Sequence, residues 1–154
     1  MSGVKVIATN RRARHDYLIE DRLEAGLVLT GTEIKSIRNG QVNIRDSYAT
    51  IRDGEIWLVN ANIAPYKQAS HQNHDPGRDR KLLLHRREIN RLTGKLQEKG
   101  LTLIPLQLYL KKSRAKIELG VARGKKLYDK RQSLRQRDDQ RQIERAMGRR
   151  QKEM

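Results

Sequence analysis

The chain has 154 residues, with 34 Lys or Arg against 18 Asp or Glu and no Cys. Its net charge of +16 favours a polyanionic partner, nucleic acid ahead of an anionic membrane surface. Disulfides, thiolate catalysis and cysteine metal sites are excluded. No apolar run approaches the roughly 18 residues of a membrane span, and no signal or lipidation pattern opens the chain, which fits a cytoplasmic protein.

Near the N-terminus, Arg11-Arg12-Ala13-Arg14-His15 forms a compact basic group ahead of Asp16-Tyr17. A strand is predicted over Asp16–Ile19, then a short helix over Glu20–Ala25 stopped by Gly26, then a strand over Gly26–Thr30. The next helix covers Thr32–Arg38, with Thr30 and Glu33 at capping-box spacing and Asn39-Gly40 as its stop. Asp53-Gly54, between Tyr48–Arg52 and Glu55–Val59, is the turn pair of a two-residue hairpin. Trp57, in mid-strand, is assigned to the core. Arg78-Asp79-Arg80-Lys81 sets basic heads at the mouth of a strand over Arg80–Leu84. A third helix spans His85–Lys99, with an apolar stripe of Ile89, Leu92 and Leu96 and a solvated basic stripe of Arg87, Arg91, Lys95 and Lys99.

The clearest strand signals follow. Apolar residues alternate at 101 and 103, then at 104, 106, 108 and 110, so the phase slips by one at Ile104-Pro105. A bulge accounts for both the slip and the proline. After a polar turn, Ala115, Ile117, Leu119 and Val121 alternate with Lys116, Glu118 and Gly120, which turns Lys116 to solvent. Short strands with about three flanking helices predict a mainly β domain over residues 1–122, a small antiparallel barrel.

Residues 123–154 differ in kind. They hold twelve Lys or Arg against five Asp or Glu, a net +7, and few apolar side chains. Ordering costs about 1–2 kcal/mol per residue, more than such a segment recovers by burial, so a disordered tail that orders on a polyanion is expected. On a helix, Arg141, Arg145 and Arg149 align along one face beside Ile143, Ala146 and Met147.

Catalysis finds no support. His71, His74 and Asp75 sit in an irregular loop without ligand geometry, so no metal is assigned. Asp16, Glu20 and Glu24 lack paired-carboxylate spacing for a nuclease. Ser36 and Ser47 lack a nucleophile elbow, and the segment after Gly120 is no phosphate-binding loop. With five Tyr and one Trp, the chain suits a folded RNA read by shape and backbone better than a long stacking groove.

Asn10-Arg-Arg-Ala-Arg-His15-Asp-Tyr17, Glu24-Ala-Gly-Leu27, Gly31-Thr-Glu-Ile-Lys-Ser-Ile-Arg38, Asp75-Pro-Gly-Arg-Asp-Arg-Lys-Leu-Leu-Leu84 and Gly120-Val-Ala-Arg-Gly-Lys-Lys-Leu-Tyr-Asp-Lys-Arg131 resemble, in order, the small protein B family of bacterial trans-translation. The resemblance implies a β-barrel of oligonucleotide-binding type and a non-enzymatic, cofactor-free protein. It implies binding to the tRNA-like domain of transfer-messenger RNA, delivered to stalled ribosomes with elongation factor Tu after charging by alanyl-tRNA synthetase. The RNA contacts it implies are Asn10, His15, Glu24, Leu84 and Lys116, to which the basic group adds Arg11, Arg12 and Arg14. For the tail it implies entry into the decoding centre and empty message channel, with Gly124, Lys125, Lys126, Tyr128, Asp129, Lys130 and Arg131 at the joint and Arg141, Arg145 and Met147 beyond. A monomer is expected. The alternatives are a general structural RNA-binding protein of the ribosome and, behind it, a basic nuclease.

Overall fold

Two long strands, β8 (Leu101–Lys111) and β9 (Arg114–Gly124), form the central hairpin of the computed structural model, which describes residues 3–69, 72–98 and 100–124. Their turn residues, Lys112 and Ser113, both have positive φ (51° and 66°), the backbone twist that joins strands through a two-residue loop. Asp53 and Gly54 do the same (51° and 75°) between β4 (Tyr48–Arg52) and β5 (Glu55–Val59), as their sequence requires. The other elements are β1 (Val4–Thr9), α1 (Arg11–Asp16), β2 (Tyr17–Leu27), α2 (Gly31–Arg38), β3 (Val42–Asn43), β6 (Asn62–Ile63), β7 (Arg80–Leu83) and α3 (Arg86–Leu96).

Pairings β8–β4–β5–β7–β2–β9 return to β8 and close a ring of six antiparallel strands. Where a barrel was expected, the strands form this ring, which two narrow joints keep from being a clear barrel. β4 meets β8 through Ala49 and Leu103 alone, and β2 meets β7 through Gly26 and Leu27. β1 lies on β8, and β3 pairs with β6 in a separate two-stranded sheet. Inside the ring, Leu23, Ile56, Leu58, Leu82, Leu103, Leu108, Ile117 and Leu119 form the main core, closed by α2 through Ile37 and by α3 through Ile89 and Leu92.

The phase slip in β8 is a bulge. Pro105 faces Leu119 and Gln107 faces Glu118, which leaves Leu106 as the extra residue. Leu103 and Leu108 therefore both reach the main core, while Ile104 and Leu106 point outward with Ala122. That outer apolar patch is covered by Ala13 of α1, an element absent from the sequence expectation. Asn10 caps this short helix: its Oδ1 accepts from the Ala13 amide (3.1 Å) and its Nδ2 donates to the Pro105 carbonyl (2.9 Å).

The predicted helix at Glu20–Ala25 is strand. Leu23 and Ala25 face the core while Arg22 and Glu24 face out, a period of two, and the segment pairs along β9. Six residues without a partner cannot nucleate a stable helix, whereas β9 offers a full ladder. The expected strands either side of it merge into the same β2. Trp57 is also corrected: Ile56 and Leu58 hold the core positions, and Trp57 lies outside under the Arg52 guanidinium, 5.3 Å from its ring centre.

The Thr30–Glu33 capping box forms as expected (Thr30 amide to Glu33 Oε1, 2.8 Å), but the same carboxylate does more. Glu33 is fully buried and accepts from Arg80 Nε (2.7 Å) and from Arg78 Nε (3.0 Å). Arg80 is fully buried too, and donates to the carbonyls of Ala61 (2.7 Å), Asp75 (3.2 Å) and Pro76 (3.0 Å). This basic pair is thus structural rather than a surface at the strand mouth. His74 ties down the same loop: its Nε2 donates to the Ile63 carbonyl (2.8 Å), and its Nδ1 meets the Thr32 hydroxyl (2.9 Å).

Burial alone would raise the Glu33 carboxyl, but the hydrogen bonds from Arg78, the Thr30 amide and Arg80 hold it down to about 2. A carboxyl lowered on folding stabilises above its ordinary value of 4.5, and that contribution is lost as pH falls toward 2. Glu33→Ala leaves two guanidinium groups short of their partner and should cost about 3–5 kcal/mol in urea unfolding at neutral pH. Glu33→Gln should lower neutral stability and flatten the loss of stability between pH 4.5 and 2.

Candidate nucleic-acid interface

The outer face of β7, β2, β9 and β8 carries one row of side chains set by register. Leu83 lies opposite Gly26, Gly26 opposite Lys116, and Lys116 opposite Tyr109. Because Gly26 has no side chain, the row dips there: a Cβ would stand 3.4 Å from Leu83 Cβ and 3.7 Å from Lys116 Nζ. The resulting notch, about 370 Å³, is lined by Glu24, Gly26, Leu83, Leu84, His85, Glu88 and Lys116. Three of the expected contacts, Glu24, Leu84 and Lys116, therefore meet in one place.

Each is held differently. Leu84 is half-buried against the main core, whereas Leu83 is 53% exposed and supplies the apolar surface of the notch. The Tyr109 hydroxyl donates to Glu24 Oε2, and Lys111 Nζ lies 3.7 Å from the same oxygen. Burial, and then the hydrogen bond to Glu24, push the Tyr109 phenol above its ordinary value. Glu118 faces Glu24 across the ladder, a like-charge pair relieved by Arg22 at 3.9 Å from Glu118. The notch thus offers a cation, a carboxylate with directed lone pairs and an exposed apolar side chain. That set can meet a phosphate, a base amino group and a base face respectively.

The other expected residues stand at the far end of the same ladder. Tyr17, directly after α1, pairs with Gly124, and nine positions along β2, Gly26 pairs with Lys116. At about 3.3 Å per residue the two ends are roughly 30 Å apart. Arg11, Arg12, Arg14 and His15 are exposed around α1. Arg12 pairs with Asp16 (3.3 Å) and Asp46 (3.1 Å), and His15 Nδ1 lies 3.0 Å from Asp16. That contact with His15, supported by Arg12, holds the Asp16 carboxyl below its ordinary range. Asn10 is buried, with its amide occupied by α1 and by the Ile44 and Pro105 carbonyls. Gly124 closes β9, two residues past the expected domain boundary, because Arg123 pairs with Leu18 and Leu101 and reaches Glu20 at 3.1 Å. The remaining expected tail residues, Lys125, Lys126, Tyr128, Asp129, Lys130, Arg131, Arg141, Arg145 and Met147, lie outside the described residues.

The α3 basic stripe is partly spent within the fold, since Arg91 and Lys95 pair with Asp21 at 3.5 and 3.4 Å. Among the described residues no cluster of His and carboxylates could hold a metal, and no helix is long and apolar enough to cross a membrane.

The profile of the SmpB protein family matches residues 7–149. The chain belongs to this family. An SsrA-binding protein of Desulfitobacterium hafniense is 63% identical over 143 residues, 93% of this chain and 92% of that one. One from Geobacillus thermodenitrificans is 62% identical over 148 residues, 96% of each. A solved chain described as "tmRNA-SmpB: a journey to the center of the bacterial ribosome" is 53% identical, with a TM-score of 0.65, and covers 76% of this chain and 82% of that one. For this SmpB family member, reading the sequence missed Leu83 and Gly26 as parts of the notch and Tyr109 as the partner of Glu24 beside it. The register that aligns them depends on β2 being strand throughout.

Tyr109→Phe should cost about 1 kcal/mol at pH 8 in urea unfolding, one net hydrogen bond. A phenol raised on folding stabilises below its ordinary value of 10.0 and loses that contribution as pH climbs past it. The difference between parent and variant should therefore narrow when both are unfolded at pH 11.

Proposed function

We propose that this chain binds the tRNA-like domain of transfer-messenger RNA and helps deliver it to stalled ribosomes, where trans-translation rescues them. The observation that carries this reading is the meeting of Glu24, Leu84 and Lys116 in one notch of a chain that belongs to the SmpB family along most of its length. The relatives' name, SsrA-binding protein, and the ribosomal setting of the solved neighbour support it. The protein acts by binding and positioning rather than by catalysis. It works in the cytoplasm as a monomer, and meets elongation factor Tu and alanyl-tRNA synthetase only through the RNA.

The two ends of the β2–β9 ladder divide the labour. The Glu24–Lys116 end holds transfer-messenger RNA. Arg11, Arg12, Arg14 and His15 are exposed on α1, which leads directly into Tyr17 opposite Gly124, so they belong with the segment that follows Gly124 and face the ribosome. Asn10 contributes by fixing α1, since its amide is already committed inside the fold. The basic segment 123–154 enters the decoding centre and the vacant message channel, where an RNA wall attracts its net +7 and an intact message excludes it by volume.

Truncation after Arg123 should leave binding to the isolated tRNA-like domain nearly intact and abolish rescue of stalled ribosomes; loss of RNA binding would refute the division. Lys116→Ala should weaken binding to that RNA and lower the slope of log K against log salt by about one unit, the mark of a lost phosphate contact. Replacing Arg11, Arg12 and Arg14 together with Gln should impair ribosome engagement more than binding to the isolated RNA. Equal affinity for the tRNA-like domain and an ordinary duplex at matched salt would favour a general ribosomal RNA-binding role instead.

A further inference from the structure

The C-terminal end of α2 borders a small pocket of about 90 Å³. Ser36, Asn39 and Gln41 wall it on one side, and Tyr66, Lys67 and Gln68 on the other. Both walls are tied down. The Ala64 amide donates to the Gln41 carbonyl (2.9 Å), and the Asn73 side chain clasps the Tyr66 backbone at both its amide (3.0 Å) and its carbonyl (2.9 Å). The Lys35 ammonium lies over the Tyr66 ring, 5.4 Å from its centre. Ser36 is 1% exposed, and its hydroxyl has no hydrogen-bond partner among the described residues. Burying a hydroxyl in that way is unfavourable unless a group from outside the chain completes it.

We propose that this pocket seats one phosphate group, and that an RNA backbone supplies it. Every polar side chain on its walls can donate: the Ser36 and Tyr66 hydroxyls, the amides of Asn39, Gln41 and Gln68, and the Lys67 ammonium. No carboxylate lines it, and Lys35 and Lys67 make no ion pair among the described residues, so a metal cation is disfavoured. The last carbonyls of α2 would repel an anion, but they are occupied. Those of Lys35, Ser36 and Ile37 accept from the amides of Asn39 (3.2 Å), Gln41 (2.9 Å) and Gly40 (2.9 Å). Size decides among the remaining ligands. The pocket has room for about three waters, enough for one phosphate group, and falls far below the roughly 300 Å³ at which sites for whole small molecules begin. A net charge of +16 favours a phosphate within a polyanion over a free one. The site rests on RNA binding but not on which RNA the Glu24–Lys116 notch holds.

The test uses the full-length protein with three probes: inorganic phosphate, a transcript of the tRNA-like domain and purified small ribosomal subunits. Ser36→Ala should weaken binding to the RNA that supplies the phosphate by about tenfold, as for one lost hydrogen bond to a charged group. The same variant should melt no lower than the parent, because the hydroxyl has no partner inside the fold to lose. Lys67→Gln should lower the salt slope on that RNA by about one unit. An effect on the transcript alone places the phosphate in that RNA, and an effect on the subunit alone places it in the ribosome. If inorganic phosphate shifts the amide resonances of Gln41 and Lys67 while both variants keep parental affinity for both RNAs, the RNA source is overturned. Parental affinity for both RNAs with no response to inorganic phosphate overturns the site itself. A lower melting temperature of Ser36→Ala at unchanged affinity assigns the hydroxyl to the fold and also overturns it. If that variant loses both stability and affinity, the exposed substitution Lys67→Gln carries the test. Failure of the Glu24–Lys116 assignment would show separately, as parental protein that does not prefer the tRNA-like domain over duplex.

Discussion

A carboxylate removed from water and clasped by two guanidinium groups is the constraint on which this structure turns. Glu33 opens α2, while Arg78 and Arg80 lie at the start of β7, so the clasp fixes a helix to a strand across the intervening loop. An unpaired charge at that depth would cost several kcal/mol, which makes any other path for residues 61–80 unfavourable. The consequence reaches the surface. With Arg80 locked inward, alternation sets Lys81 and Leu83 outward and Leu82 inward, and Leu83 then stands against Gly26 and completes the notch.

The outer face built on that frame is chemically mixed. A purely basic surface would attract any polyanion equally, because phosphate contacts position a nucleic acid without reading it. Glu24 and Glu118 placed opposite each other lower the charge locally at some cost in stability. They also supply acceptors with direction, which phosphates repel and base amino groups meet. On a chain of net charge +16, two carboxylates opposite each other make this face chemically unlike a uniformly basic surface.

Much of the fold was legible in the sequence, and its failures share a physical cause. The β8–β9 and β4–β5 hairpins, α2 and α3 announce themselves through local alternation, turn chemistry and capping. Lys116 was placed outward from alternation alone. What could not be read locally was what a neighbour imposes. Glu20–Ala25 becomes strand because β9 lies beside it, and Arg11–Asp16 becomes helix because Ile104, Leu106 and Ala122 need cover. Arg80 goes inward because Glu33, 47 residues away, waits there. The family resemblance supplied Glu24 and Leu84, which local reasoning would have left as a solvated carboxylate and a core residue. Only the register shows why they sit with Lys116.

The last residue of β9 is also a mechanical anchor. Gly124 is hydrogen-bonded beside Tyr17, and its strand is flanked by β2 on one side and β8 on the other. A chain drawn outward from Gly124 along the strand axis would load both ladders in shear, so many hydrogen bonds would resist together instead of parting one at a time. The segment beyond that point can therefore be pulled, threaded or trapped without disturbing the face thirty ångströms away, roughly, where Lys116 and Glu24 stand. Tension at one end stays local, and the geometry at the other is kept.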